Sequence, residues 1–362
     1  MADIRLENLH KEFDDGAVVA VRDLTLTFRE GTTTCLLGPS GCGKTTLMRI
    51  IAGLETPSAG RVFFGDEDVT DLKTRDRNLG MVFQYPVVYR GITVRQNLAL
   101  PLRADPLSDE EKHERVEELL EMIDLKHVAD TDVDKLDGGT RQKVAVARAV
   151  SRHAPIILFD EPITNVDPDL KLQLKRTLRE LFSRLNQTII YVTHDQTEAM
   201  TLADEIALMQ EGAIEQMAPP RTLYNKSESV FGGWFLGNPG MNFVPVKGNE
   251  ADATAIAGGQ LVDAVTTLGF RPEDVVLDVS AGASGLDALV EHVAVVTGGQ
   301  RLVNLKSGDV RFKAKLPWDS GAGVVAGGTV KWSVPPERIR KFNADDVSVT
   351  VANARANGEI AG

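Results

Sequence analysis

Residues 38–45 read GPSGCGKT, a glycine, four residues, then Gly-Lys-Thr, set between the strand-like run TTTCLL (32–37) and the helix-forming run TTLMRIIAGL (45–54). A glycine-rich turn at the mouth of a helix suits phosphate, because bare N–H groups approach an anion where the helix dipole is positive. Gly38, Gly41 and Gly43 let successive N–H groups wrap a β-phosphate, Lys44 adds a point charge for the β- and γ-oxygens, and the Thr45 hydroxyl can ligate Mg²⁺. A second apolar run, PIILFDEP (155–162), closes on two acids. At the carboxyl edge of a sheet Asp160 can hold a metal through its water shell while Glu161 polarises an attacking water. His194 ends the run IIYVTH and Gln84 ends MVFQ, so a γ-phosphate contact and an amide reaching Mg²⁺ or the nucleophilic water are expected at further strand ends. Phe13, beside the first β turn, is the candidate for stacking on a purine, and Cys42 reads as a small space-filler at a helix start.

Another glycine-rich helix start, KLDGGTRQKVAVARA (135–149), carries an acid before its two glycines and three positive charges in the run after them. Gly138 and Gly139 can present bare N–H groups to an anion, which makes Asp137 conspicuous beside them.

These groups need elements to carry them. Residues 3–28 alternate polar and apolar positions, the period of half-buried antiparallel strands. Ser108 and Glu111 form a capping box ahead of a helix to Leu125, with Val116, Leu119, Leu120 and Ile123 on one stripe. Between the apolar runs 155–160 and 188–194, Leu174, Leu178, Leu181 and Leu185 repeat at helical spacing, so strand, helix and strand imply a parallel sheet covered on both faces. Beyond LGNPGMNFVPVKGNE the chain turns glycine- and valine-rich, with short strands expected at 287–296, 301–306, 310–316 and 328–334, the texture of a small barrel or sandwich without a long helix. An echo between GFRPEDVVL (269–277) and WSVPPERIRKF (332–342) suggests two related turns within that unit.

The 362 residues suffice for two or three domains, and a hydrophobic fraction of 43% with no apolar run approaching the roughly 18 residues of a span predicts a chain that does not cross a membrane by itself. The charged start MADIRLENLH and only two cysteines, Cys35 and Cys42, point to the cytoplasm and reduced thiols. A net charge of −12 opposes nonspecific attraction to phosphate polymers, making nucleic acid a poor first expectation.

The order GPSGCGKT, VFQ, LDGGTRQKVAVARA, LFDEP, NVDP, VTHD resembles the nucleotide-binding subunit of an ATP-binding cassette transporter across residues 3 to about 235. RDRNLGMVFQ, LYNKSESVFGGWFLGNPGMNFVPV and LGFRPEDV look like the subclass serving carbohydrate, polyol and glycerol-phosphate importers. The resemblance implies an α/β P-loop NTPase domain over 1–236, with a mixed sheet, an antiparallel β subdomain and a helical subdomain at about 85–155, then an OB-like regulatory (TOBE) barrel over 237–362. It implies a head-to-tail dimer, with a like or different ATPase subunit, that sandwiches two ATP molecules, the phosphate loop of one copy facing the Gly138–Gly139 signature of the other. By carry-over, Phe13 stacks on adenine and Gly38, Pro39, Ser40, Gly41, Cys42, Gly43, Lys44, Thr45 and Thr46 bind phosphate. Thr45, Gln84 and Asp160 serve Mg²⁺, Glu161 is the catalytic carboxylate, His194 clasps the γ-phosphate and Asp167 couples the two sites. Segment 85–97 would receive a transmembrane permease subunit at the cytoplasmic face of the membrane, with a solute-binding protein as an indirect partner.

Two departures stand out. Family members usually read Leu-Ser-Gly-Gly-Gln where this chain has Leu136 to Thr140. A serine hydroxyl can donate to a partner's γ-phosphate, whereas an ionised Asp137 cannot, and two anions 3–4 Å apart repel by about 4 kcal/mol at an effective dielectric near 20. Asp137 therefore turns away as a helix cap, or is protonated on closure, or this subunit pairs with an ATPase whose signature is intact; capping is favoured because Asp is among the best caps. EPITNVDP replaces the more usual EPLSNLDA, with Pro168 placed as a first helical residue. The rival function is a soluble cassette ATPase acting on nucleic acid or the ribosome, but the C-terminal aromatics Phe270, Phe312, Trp318, Trp332 and Phe342 are scattered among acids and read more simply as barrel core.

Overall fold

The computed structural model describes residues 2–163, 168–259, 261, 264–280, 284–296, 298–320 and 323–350. Asp167 lies outside the described residues. The packing divides the chain into two compact units, Met1–Arg221 and Thr222–Gly362.

In the first unit, the alternating N-terminal residues form β1 (Ile4–Phe13) and β2 (Val18–Phe28), paired antiparallel with Ile4 opposite Phe28. The buried residues Ile4, Leu6, Leu9, Val21, Leu24 and Phe28 face the core. β3 (Thr33–Leu37) leads into α1 (Lys44–Ala52), and β4 (Ala59–Phe64) and β5 (Glu67–Asp68) complete a four-stranded antiparallel sheet, β2-β1-β4-β5. β6 (Leu79–Val82) precedes a helical section of α2 (Val94–Ala99), α3 (Asp109–Met122) and α4 (Gly138–Ser151). The expected box opens α3: Ser108 Oγ accepts the Glu111 N–H at 3.2 Å while the Glu111 carboxylate accepts the Ser108 N–H at 2.7 Å. All four residues of the predicted stripe, Val116, Leu119, Leu120 and Ile123, are buried.

Then come β7 (Ile156–Asp160), α5 (Pro168–Arg184), β8 (Thr188–Thr193), α6 (Gln196–Leu202), β9 (Glu205–Gln210) and β10 (Ala213–Ala218). The second sheet has the order β10-β9-β3-β8-β7-β6, parallel except for the antiparallel edge strand β10. Every residue of β3, β7 and β8 is buried, which is why these strands read as unbroken apolar runs rather than as alternations.

α7 (Pro220–Asn225) spans the division between the units, and in the second unit α8 (Val230–Phe235) precedes β11 (Asn242–Pro245), α9 (Glu250–Ile256), β12 (Thr267–Phe270) and β13 (Val276–Asp278). β14 (Leu286–Val296), β15 (Gln300–Ser307), β16 (Val310–Pro317) and β17 (Thr329–Ser333) fall within a residue or so of the expected strands, and β18 (Arg340–Phe342) closes the set. They form antiparallel sheets β11-β12-β18 and β13-β17-β14-β15-β16. The packing divides the chain at Arg221/Thr222, ahead of the 236/237 boundary that the resemblance implies. Arg271 is the physical reason: buried at the end of β12, it donates to the carbonyls of Tyr224 (2.8 Å), Gly233 (3.0 Å) and Leu236, binding α7 and α8 to the strands of the second unit.

The sequence echo has a structural counterpart. β12 and β13 are joined by the 3₁₀ turn Pro272–Asp274, and β17 and β18 by Pro336–Arg338. Each proline-led turn passes the chain from one sheet to the other, in opposite directions. Phe270, Phe312, Trp332 and Phe342 are core, with the Phe312 and Trp332 ring centres 4.1 Å apart, whereas Trp318 is exposed and departs from the expected core set.

Candidate functional site

Four neighbouring parallel strands, β3, β8, β7 and β6, bring their carboxyl ends to one edge. That edge carries the phosphate loop after β3, His194 after β8, Asp160 and Glu161 at the end of β7, and Gln84 just past β6. In an open α/β sheet this is where ligands gather.

The loop is pressed against its own scaffold on one side. A Cβ at Gly38 would stand 2.2 Å from the Met209 carbonyl oxygen and one at Gly43, where φ is +107°, 2.0 Å from that of Ala20, while Gly41 faces open space. Only glycine lets the backbone sit this close to β2 and β9. Ser40 and Gly41 at the tip are exposed, Pro39 is half-buried, and Thr46 follows Thr45 in the first turn of α1. Lys44 is buried, its ammonium donating to the Gly38 and Pro39 carbonyls at 2.9 and 2.8 Å, so a cation is held inside the loop. Cys42 fills the space beneath, buried and with its sulfur 3.6 Å from Lys44 Nζ. Cys35 and Cys42 are both free thiols, and burial pushes the Cys35 thiol up.

The Thr45 hydroxyl donates to the Asp160 carboxylate. Burial, and then the adjacent Glu161 charge, raise the Asp160 pKa, against the pull of Arg49, Thr45 and Lys44. A hydroxyl and a carboxylate side by side, the latter short of positive charge, are the hard oxygen donors Mg²⁺ prefers. Two such groups cannot cage the ion, which ordinarily completes its shell with water and substrate phosphate.

Glu161 adopts φ +44°, a conformation costly for a residue with a Cβ, and its N–H is held by the Val192 carbonyl at 3.0 Å. Its carboxylate lies 3.2 Å from Nδ1 of the half-exposed His194, so the two expected catalytic groups meet. Gln84 is partly buried beyond β6. Phe13 belongs to no buried core; it is half-exposed at the end of β1, with the Lys11 ammonium 4.7 Å from its ring centre.

The signature residues occupy a different place, the N-terminus of α4. Asp137 is its cap: one carboxylate oxygen accepts the Thr140 N–H at 2.8 Å and the other the Thr140 hydroxyl at 2.6 Å. These bonds, the hydroxyl's first, hold the Asp137 carboxyl below its usual range. Gly138 is exposed and has open space around it, whereas Gly139 is buried and its N–H bonds the Asp137 carboxylate, so of the two glycines Gly138 is the accessible one.

Sequence reasoning missed the supports. Arg77 is buried and donates to the carbonyls of Ile50 (2.7 Å) and Ile51 (2.8 Å) at the end of α1 and to those of Thr70 (2.8 Å) and Leu72 (3.0 Å), tying the phosphate-loop helix to the segment leading into β6. Lys175 and Glu198, beneath His194, were missed likewise. A charge in a surface-like run carries no local mark of the partners that bury it.

Comparison with known proteins agrees with this geometry. Residues 21–164 match the family model described as ABC transporter. The sn-glycerol-3-phosphate import ATP-binding protein UgpC of Ruegeria pomeroyi is 40% identical over 90% of this chain and 93% of its own length. The trehalose import ATP-binding protein SugC of Mycobacterium tuberculosis is 40% identical over 77% and 72%. Among solved structures, the ATP-binding cassette MJ0796, a post-hydrolysis dimer bound to ADP and Pi, is 30% identical with a TM-score of 0.53 over 60% of this chain and 99% of that one. Phosphate loop, paired acids and histidine on one sheet edge, joined to relatedness along nearly the whole length, identify this chain as a member of the ABC transporter family, one of its ATP-hydrolysing, ATP-binding subunits.

Proposed function

We propose that the chain energises an importer of sugars, polyols or glycerol phosphates, working as a head-to-tail pair of ATPase subunits on the cytoplasmic side of transmembrane permease subunits. The observation that carries this reading is the 40% identity to a glycerol-phosphate import subunit over 90% of the chain, a span that takes in the C-terminal unit as well as the cassette. Among the described residues no helix is long and apolar enough to cross a membrane, so permease partners would supply the passage.

In this reading Lys44 and the N–H groups of residues 38–46 hold the phosphates, and the exposed face of Phe13 takes the adenine. Thr45 and Asp160 would hold Mg²⁺, with Gln84 reaching toward it from the β6 end. Bound Mg²⁺ would neutralise charge on the β- and γ-phosphates. Glu161 orients and polarises the attacking water, and His194, kept beside it at 3.2 Å, contacts the γ-phosphate. Gly138 and Gly139 of the facing copy close the pocket with backbone N–H groups, and the Asp137 carboxylate stays folded onto its own helix.

Glu161→Gln tests the chemistry. Hydrolysis is expected to fall at least about a hundredfold while ATP still binds and an ATP-bound dimer accumulates in size-exclusion chromatography. Full residual hydrolysis would remove Glu161 from its role. Reconstitution with permease subunits tests the transport assignment: ATP-dependent uptake of glycerol 3-phosphate or a disaccharide supports it, and association with nucleic acid in place of permease overturns it.

A further inference from the structure

Behind His194 lies a set of polar groups that the reaction does not directly use. Glu198, on α6, is 3% exposed, and one of its carboxylate oxygens accepts both the Tyr191 hydroxyl (2.8 Å) and the Thr193 hydroxyl (2.9 Å), from residues that are themselves fully buried. Lys175, on α5, stands 3.7 Å from the other oxygen and 3.2 Å from the Asp195 carboxylate. Asp195 in turn caps α6 by accepting the N–H groups of Thr197 and Glu198 at 2.7 and 3.1 Å, and its own N–H donates to Thr193 Oγ1 at 3.0 Å. The residues on both sides of His194 are therefore fastened to a single buried carboxylate, one directly and the other through Lys175 and the helix cap.

We infer that Glu198 is a positioning residue, which with Lys175 holds the Thr193–Asp195 turn so that the His194 imidazole stays against Glu161 and faces the γ-phosphate. The inference rests on the role proposed for His194. Burying a carboxylate is costly unless hydrogen bonds and a counter-charge compensate it, and both are present. Such a group confers a fixed geometry: two hydroxyls and an ammonium converge on it from β8 and α5, so the turn cannot shift without breaking several bonds together. Lys175 also gives α5, the helix that begins just after Asp167, a direct hold on the histidine turn.

The test uses the full-length chain. Glu198→Gln keeps the shape and one acceptor while removing the charge; kcat is expected to fall about 10- to 100-fold with KM for ATP within about twofold, because geometry at the reacting atoms changes while the phosphate loop does not. In spectra of ring-¹⁵N-labelled histidine, the His194 signal, assigned by its loss in His194→Ala, is expected to move while those of the other histidines stay. Lys175→Met, which leaves the hydroxyl bonds in place, is expected to shift the same signal in a protein of normal thermal stability. An unmoved His194 signal in both variants, or a loss shared equally between kcat and KM, overturns the inference. Wild-type turnover in His194→Ala would instead strike the proposed role of the histidine, and the ring signals would still decide whether Glu198 positions it.

Discussion

A carboxylate at position 137 raises at single-residue scale the question that matters for closure around ATP. Thr140 occupies both oxygens, so the charge is spent on the first turn of α4 rather than offered outward. Asp137→Ala should cost about 1 kcal/mol, the usual worth of an N-cap, seen as a lowered thermal transition. Because the folded carboxyl titrates below its unfolded value, this contribution is complete above the unfolded pKa of about 3.9 and fades as pH falls through the lower folded value; the gap between wild type and variant should hold from pH 7 to about 4 and narrow below. Asp137→Ser should leave ATP turnover within about twofold, and a rise on the scale of a 4 kcal/mol repulsion would mean the carboxylate does confront phosphate. Asp160 has the opposite sign. Its carboxyl is raised by burial and by Glu161, so its ionised form is a liability to the fold above the raised pKa and the liability disappears on protonation. Asp160→Asn is therefore expected to raise the melting temperature of nucleotide-free protein while removing Mg²⁺-dependent hydrolysis; a lowered melting temperature would contradict this balance.

Among the elements, the parts that could be read from sequence were those that local physics decides. The capping box at Ser108 and Glu111 closes within four residues, and the buried stripe of α3 follows from helical periodicity. Leu119→Ala in that stripe should cost about 2–5 kcal/mol, measurable by denaturant unfolding, and a cost under about 1 would mean the helical section packs loosely. The phosphate loop, paired acids and His194 were legible because each ends an apolar run, and parallel strand ends must share an edge. Arg77 was not, since its four acceptors are backbone carbonyls brought together only by tertiary packing. Nor was α8, whose glycines argue against a helix; Ser229 caps it through the Gly232 N–H at 3.0 Å, and a Cβ on Gly233 would come within 3.0 Å of Met241 and Phe243, so close packing outweighs propensity. The cap at Asp137 was readable because Asp is among the best caps, whereas the second bond it receives, from the Thr140 hydroxyl, was not, since sequence does not fix the direction of that side chain.

Over the whole molecule, a single chain carries the lysine, the acids and the histidine on one sheet edge and the signature glycines at the start of α4. In the composite pocket proposed above, a second copy facing the first would supply the glycine N–H groups. Cross-linking tests this arrangement, because the native thiols Cys35 and Cys42 are buried while Ser40 and Asp137 are exposed. In a Glu161→Gln background, one preparation would carry Ser40→Cys and another Asp137→Cys, and the two would be mixed and treated with a short bismaleimide. The account predicts a covalent dimer joining the unlike chains that forms with Mg²⁺ and ATP and not with ADP; monomers alone, or a dimer indifferent to nucleotide, would contradict it.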